Sequence, residues 1–203
     1  MFSPFKLISS DQSSLLIGSN TELAERLKIF FQDSKVDYLW NISTGRQRMA
    51  PELQHTKMIA LRRPVPPASV NLKTTVEWNQ VTAIKDDMIL NRYPIFQETY
   101  QWLKEIMNSL GANEVEFGRV FFSTHLANTL IGEHVDKGAY FSYYDRFHFV
   151  IDQVNGENIF HIQNQPQILE TGKLYWVNNH VPHWLENRSN TGRINLIFDA
   201  RLS

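Results

Sequence analysis

From Gly111 to the end of the chain, short runs of β-branched and aromatic residues alternate with clusters of Gly, Asn and Pro. Eight runs stand out: EFGRVFFSTHL, TLIGEHV, YDRFHFVID, NIFHIQ, QPQILE, KLYWVN, VPHWLEN and RINLIFDA. Each is too short to bury its apolar face alone. Strands at this spacing, separated by turn residues, predict an antiparallel sandwich or barrel.

The earlier sequence has a different texture. In SNTELAERLKIFFQDSK, Leu23, Leu27, Phe30 and Phe31 recur at helical spacing, and Ser19 with Glu22 has the form of a capping box. TKMIALRRPVPP predicts a strand ended by Pro64, Pro66 and Pro67. A second helix is predicted from Pro94 to Leu110, with Phe96, Tyr100, Leu103, Ile106, Met107 and Leu110 on its apolar side and Gly111 as its C-terminal cap. The fold class expected is α+β, mainly β: a jelly-roll, cupin-like barrel supported by N-terminal helices. Each half is small, so the 203 residues are read as a single domain, with residues 1–112 as support and 113–203 as the β core.

Composition narrows the partners. With 42% hydrophobic and 20% charged residues the chain is of ordinary globular type. Twenty basic residues against 21 acidic ones leave a net charge of −1, so there is no global field to recruit nucleic acid or an anionic membrane. The amino terminus lacks the apolar stretch of a signal peptide and no run approaches a membrane span, so a cytoplasmic location is expected. Cysteine is absent, which leaves His, Asp and Glu as the available metal ligands.

A polar segment, GEHVDKGAY, interrupts the aromatic strands and carries His134 and Asp136 two residues apart. On a strand, positions i and i+2 face one side, so imidazole and carboxylate would point together. His183 in VPHWLEN could supply a third ligand from a distant strand. Two histidines and one carboxylate with open positions suit non-haem Fe(II), although the same ligands also accept Zn or Mn. Ten residues beyond His183, Arg193 opens the last apolar run. Inside a barrel its guanidinium would need an anion, and its planar fork matches a carboxylate; at the surface it would merely follow a hairpin turn at Asn190-Thr191-Gly192.

These residues resemble the 2-oxoglutarate- and Fe(II)-dependent oxygenases, and within them the aspartyl/asparaginyl β-hydroxylase family. Ser123 stands eleven residues before His134, an Arg-x-His follows at Arg146 and His148, and GKLYWVNNHVPHWLENRSNTGRINLIFD has the form of the family's closing block. The resemblance spans roughly residues 115 to 200. It implies a double-stranded β-helix with His134, Asp136 and His183 as iron ligands. It also implies Ser123 and Arg193 on the distal carboxylate of 2-oxoglutarate, and Arg146 and His148 toward its keto-acid end. The cofactors implied are Fe(II), 2-oxoglutarate as cosubstrate, and O2. Some animal members lack the carboxylate ligand, whereas Asp136 is present here, which is similar to bacterial relatives.

The activity expected is hydroxylation of an Asp or Asn side chain in a peptide or protein. The alternatives are the same chemistry on a free amino acid such as proline or another small metabolite, and a non-catalytic metal-binding cupin-like module. A zinc hydrolase is disfavoured, since no general base is evident beside the metal ligands. His180 is the rival third ligand but is expected in the turn before its strand. His125 and His161 fall in alternating strands where packing or exposure is the usual role, and His55 has no partner pattern. Arg188 is expected to be solvated. Tyr140, Phe141, Tyr143 and Tyr144 would sit near the barrel mouth, and Arg46, Arg48, Arg62 and Arg63 form a solvated face or meet an acidic substrate. Oligomeric state is not encoded in any pattern of the chain.

Overall fold

The computed structural model describes residues 13–42, 53–65 and 83–203. Two antiparallel sheets face each other. The larger has seven strands. In chain order its members are β1 (Ser14–Ser19), β2 (Thr56–Val65), β3 (Ala83–Asp86), β4 (Val115–His125), β6 (Asp145–Asp152), β9 (Lys173–Val177) and β11 (Arg193–Leu202), and they lie side by side in the order β1-β9-β6-β11-β4-β2-β3. The smaller has four: β5 (Thr129–His134), β7 (Asn158–Ile162), β8 (Gln165–Gln167) and β10 (His183–Asn187), arranged β5-β10-β7-β8. From β4 onward the chain passes repeatedly from one sheet to the other. That winding makes the structure a jelly roll, and all eight strands expected after Gly111 are present.

Period-two alternation on the large sheet explains the layers. Phe147, Phe149 and Ile151 on β6, with Leu196 and Phe198 on β11, point outward and meet the helices α1 (Thr21–Gln32) and α3 (Pro94–Asn108). Leu23, Ala24, Leu27 and Phe31 of α1, and Phe96, Tyr100, Leu103 and Met107 of α3, complete this core. On the other face, Val150, Tyr175 and Val177 pack against Phe160, Ile162 and Leu185 of the small sheet in a second, smaller core. The polar residues between the sheets lie beside this second core.

Several local expectations need correction. The N-cap of α1 is Asn20, whose Oδ1 accepts from the Leu23 N–H at 3.0 Å; Ser19 is instead the last residue of β1, a strand that the sequence pattern did not reveal. Helix α3 ends at Asn108, and Leu110 is exposed beyond it, with Gly111 at φ +81°. A short helix, α2 (Met88–Arg92), precedes α3, and another, α4 (Ala139–Tyr143), occupies the aromatic segment between β5 and β6. The turn at Asn190-Thr191-Gly192 does not close a hairpin: β10 and β11 belong to different sheets, so it carries the chain across the barrel. Pro66, Pro67, Arg46 and Arg48 lie outside the described residues. No helix among the described residues is long and apolar enough to cross a membrane.

Candidate active site

Strands β5 and β10 pair so that His134 lies directly opposite His183, with ring centroids 4.3 Å apart. Each imidazole donates from Nδ1 to the backbone carbonyl two residues earlier, His134 to Gly132 at 2.8 Å and His183 to Val181 at 2.9 Å. These bonds fix the tautomer and leave both Nε2 lone pairs for an ion, as partners behind a metal site commonly do. Burial, followed by the neighbouring His134, pushes His183 down to about 4, so the ring is neutral near pH 7.

Asp136 is not on a strand, because β5 ends at His134. A different device aims its carboxylate. Its backbone N–H donates to the Asn179 carbonyl at 3.1 Å, and the Asn179 amide returns a bond to Oδ2 at 2.9 Å. Arg146 Nη1 donates to the same oxygen. Burial opposes ionisation, but the Arg146 guanidinium and the Asn179 amide outweigh it and hold the carboxyl far below its usual range. Both bonds reach Oδ2, so Oδ1 keeps its lone pairs. One ligand atom each from His134, Asp136 and His183 lies within 4.8 Å of the other two, so the three could hold one divalent ion.

Beside this triad is a cavity between the sheets. The inward positions of β4 and β11 supply one wall: Ser123 lies across from Asn195, and His125 across from Arg193. Arg193 is 2% exposed, and its Nε and Nη1 have no hydrogen-bond partner among the described residues. Only Nη2 is met, by the Asn195 side-chain oxygen at 3.1 Å when that amide is oriented to satisfy both groups. Burial pulls the guanidinium down to about 9, yet it remains a cation near neutrality. A buried, half-unpaired guanidinium is costly unless an anion comes to it, and a carboxylate satisfies two of its N–H groups at once.

Arg146 and His148 line the same cavity from β6. Arg146 is nevertheless heavily engaged: besides Asp136, it donates from Nε to Asp199 Oδ1 at 2.8 Å and from Nη2 to Asp199 Oδ2 at 3.3 Å. Asp199 also accepts from Arg119 Nε and from the Tyr140 hydroxyl, both at 2.9 Å. Sequence patterning gives no place to Asn179 or Arg119, and reaches Asp199 only as the last residue of the closing block. Their signal was buried polarity, which only the third dimension reveals. His125, for which the strand pattern implies packing or exposure, is buried and also borders the cavity.

The other candidates lie elsewhere. His180 is exposed in the turn before β10. His161 stacks on Trp184 at 4.5 Å between ring centroids, and Arg188 is an exposed partner of Glu186. Arg62 pairs with Asp86, and Arg63 with Asp87. Tyr143 and Tyr144 donate to Glu116, while Arg119 and Arg146 lie over the Phe141 ring at 4.9 and 5.1 Å.

Three solved structures illustrate the fold. A collagen prolyl hydroxylase from Paramecium Bursaria Chlorella virus-1, solved as a 2-oxoglutarate complex, superposes with a TM-score of 0.53 at 8% identity, covering 95% of this chain and 97% of its own. A Pseudomonas putida prolyl-4-hydroxylase gives 0.51 at 11% identity, with 94% and 92% covered. An oxidoreductase of the 2-oxoglutarate–Fe(II) oxygenase family from Burkholderia pseudomallei gives 0.50 at 12%, with 72% and 67% covered. No curated protein matches the chain in sequence. The model of the aspartyl/asparaginyl β-hydroxylase family, in contrast, matches residues 47–202. The chain therefore belongs to the aspartyl/asparaginyl β-hydroxylase family of enzymes.

Proposed function

We propose that this enzyme is an Fe(II)- and 2-oxoglutarate-dependent dioxygenase that hydroxylates an Asp or Asn side chain of a peptide or protein. The observation that carries the reading is the convergence of His134, Asp136 and His183 beside a buried guanidinium with two unmet nitrogens. The match to the β-hydroxylase family model supports the choice of Asp or Asn as substrate. Bound iron with O2 supplies the oxidising chemistry, in which 2-oxoglutarate loses CO2 to become succinate and the substrate carbon gains a hydroxyl.

The residues of the chain divide the remaining tasks. His134, Asp136 and His183 hold the ion, with their orientation set by Gly132, Val181, Asn179 and Arg146. Arg193 and Ser123 receive the distal carboxylate of the cosubstrate. His148 and the N–H groups of Arg146 not spent on Asp136 and Asp199 face its keto-acid end. Apolar side chains such as Phe160, Val177 and Ile197 exclude water from the same space.

Adding Fe(II) and 2-oxoglutarate without oxygen should produce a visible metal-to-ligand charge-transfer band. In air, a screen for succinate should respond to peptides containing Asp or Asn. A response confined to free amino acids such as proline would move the substrate assignment. Absence of both band and succinate would reduce the site to a metal-binding module.

A further inference from the structure

His125 is fixed in one tautomer by its neighbours. Its Nε2 lies 2.9 Å from Thr129 Oγ1, and the single hydroxyl proton of Thr129 is directed at the Leu126 carbonyl, 2.7 Å away. Thr129 can therefore only accept from the ring, so Nε2 carries the hydrogen and Nδ1 of the neutral ring is a bare lone pair. That Nδ1 is buried and has no partner among the described residues. Arg193, directly across the β4–β11 ladder, has two buried N–H positions equally without one. Both side chains line the cavity. A carboxylate arriving there would satisfy Arg193 but would set its own lone pairs against that of His125. A proton on Nδ1 removes the conflict and turns His125 into a second donor.

We propose that His125 is a cosubstrate-binding residue that takes up one proton from solvent at Nδ1 when a carboxylate docks beside Arg193. This rests on the 2-oxoglutarate reading above and adds a residue and a proton to it. The surroundings favour a neutral ring until the anion comes. From β11 the ring faces Arg193, and ahead of β2 lies His55; both lower the ring's affinity for a proton. Strands β5 and β10 bring Thr129 and Asn187 to this corner, neither of which titrates. Arg146 and His148 of β6 border the same cavity. Burial, then Arg193, lowers the ring to about 4, so no proton is held near neutrality without an added anion.

The test is calorimetric titration of 2-oxoglutarate into Mn(II)-loaded protein at pH 6.5, in buffers of different ionisation enthalpy. Uptake of about one proton per cosubstrate is expected, with affinity weakening by up to about tenfold for each unit of pH between about 4 and the raised pKa of the complex. His125→Gln should still bind the cosubstrate, with uptake and pH slope abolished. Binding to the wild-type protein without proton uptake would overturn the His125 assignment alone and leave the cosubstrate reading intact. Uptake that survives in His125→Gln and vanishes in His148→Gln would do the same. No binding at all would remove both. The wild-type measurement can fail by itself, so the proposal does not depend on the folding of a variant.

Discussion

Arg193 has a split character. In the ligand-free protein it is a liability, since two guanidinium nitrogens are desolvated with nothing in return. A carboxylate docked there, as proposed, would give the same nitrogens charge-assisted hydrogen bonds. Arg193→Met should therefore raise the melting temperature of the ligand-free protein while weakening 2-oxoglutarate about 10- to 100-fold, the range expected for losing charge-assisted hydrogen bonds. Metal affinity should change little. Equal loss of metal and cosubstrate affinity would argue against the role assigned. His183→Ala should do the converse, abolishing metal binding with the fold retained, as judged by circular dichroism and a Co(II) titration. At this scale the residue types of His134, Asp136 and His183 anticipated the cluster that the fold brings together, although Asp136 reaches it from beyond the strand rather than by strand alternation. Sequence patterning assigned Asn179 no place and His125 only packing or exposure. Their importance lies in which atom is left unbonded, a property of packing rather than of spacing.

At the level of elements, β4, β11 and α4 form a unit around Asp199. Helix α4 is capped at its N-terminus by Gly138, with φ +109°, and projects Tyr140 back so that its hydroxyl donates to Asp199 and accepts from the Arg119 N–H at 2.8 Å. The space for that hydroxyl exists because residue 118 has no side chain: a Cβ there would lie 2.5 Å from it and 3.2 Å from Asp199 Cβ. Tyr140→Phe should cost about 1–2 kcal/mol through the lost hydrogen bonds. Gly118→Ala should cost more in the wild type than in the Tyr140→Phe background, where the nearest clashing atom is gone. Urea unfolding of the four proteins in a double-mutant cycle measures the difference, and strict additivity would refute the packing argument. A second junction is Asn187, which is 1% exposed. Its amide reaches the carbonyls of His125, Leu126 and Thr191 at 3.3, 3.0 and 2.9 Å and so ties the β4–β5 turn to the β10–β11 crossing. Asn187→Ala should destabilise by roughly 2–3 kcal/mol in the same assay, because buried carbonyls lose their donor. The eight late strands were legible from turn residues and alternation. Strand β1 was not, since its mixed burial lacks that alternation, and neither was α4, whose short aromatic stretch is fixed by Asp199 and Glu116 rather than by helical periodicity.

For the whole molecule, the two sheets enclose histidines that a soluble surface would let titrate freely. His125 is lowered to about 4, and His148 falls well below the usual value through burial and then the charges of Arg146 and Arg193. Folding thus keeps both rings neutral, whereas in the unfolded chain they titrate near 6.5. Between pH 6.5 and 4 the unfolded state binds more protons than the folded one, so stability must rise with pH across that window and fall as the solution is acidified through it. The depressed carboxylates, Asp136 and Asp199, act in the same direction over a lower range: their contribution is present above about 3.9 and is lost only below it, so the two effects separate. His125 should remove roughly 2 kcal/mol between pH 7 and pH 5, measured by urea unfolding of the metal-free protein, and His148 should add a loss of the same sign. His125→Gln should reduce that loss by about the same amount. Saturating 2-oxoglutarate on metal-loaded protein should reduce it too, because a protonated His125 in the complex no longer differs from the unfolded ring. A stability that is flat from pH 7 to 5, or a His125→Gln variant that follows the wild-type curve, would mean that this corner of the barrel admits the proton freely, and the linkage between folding, proton and cosubstrate would fail with it.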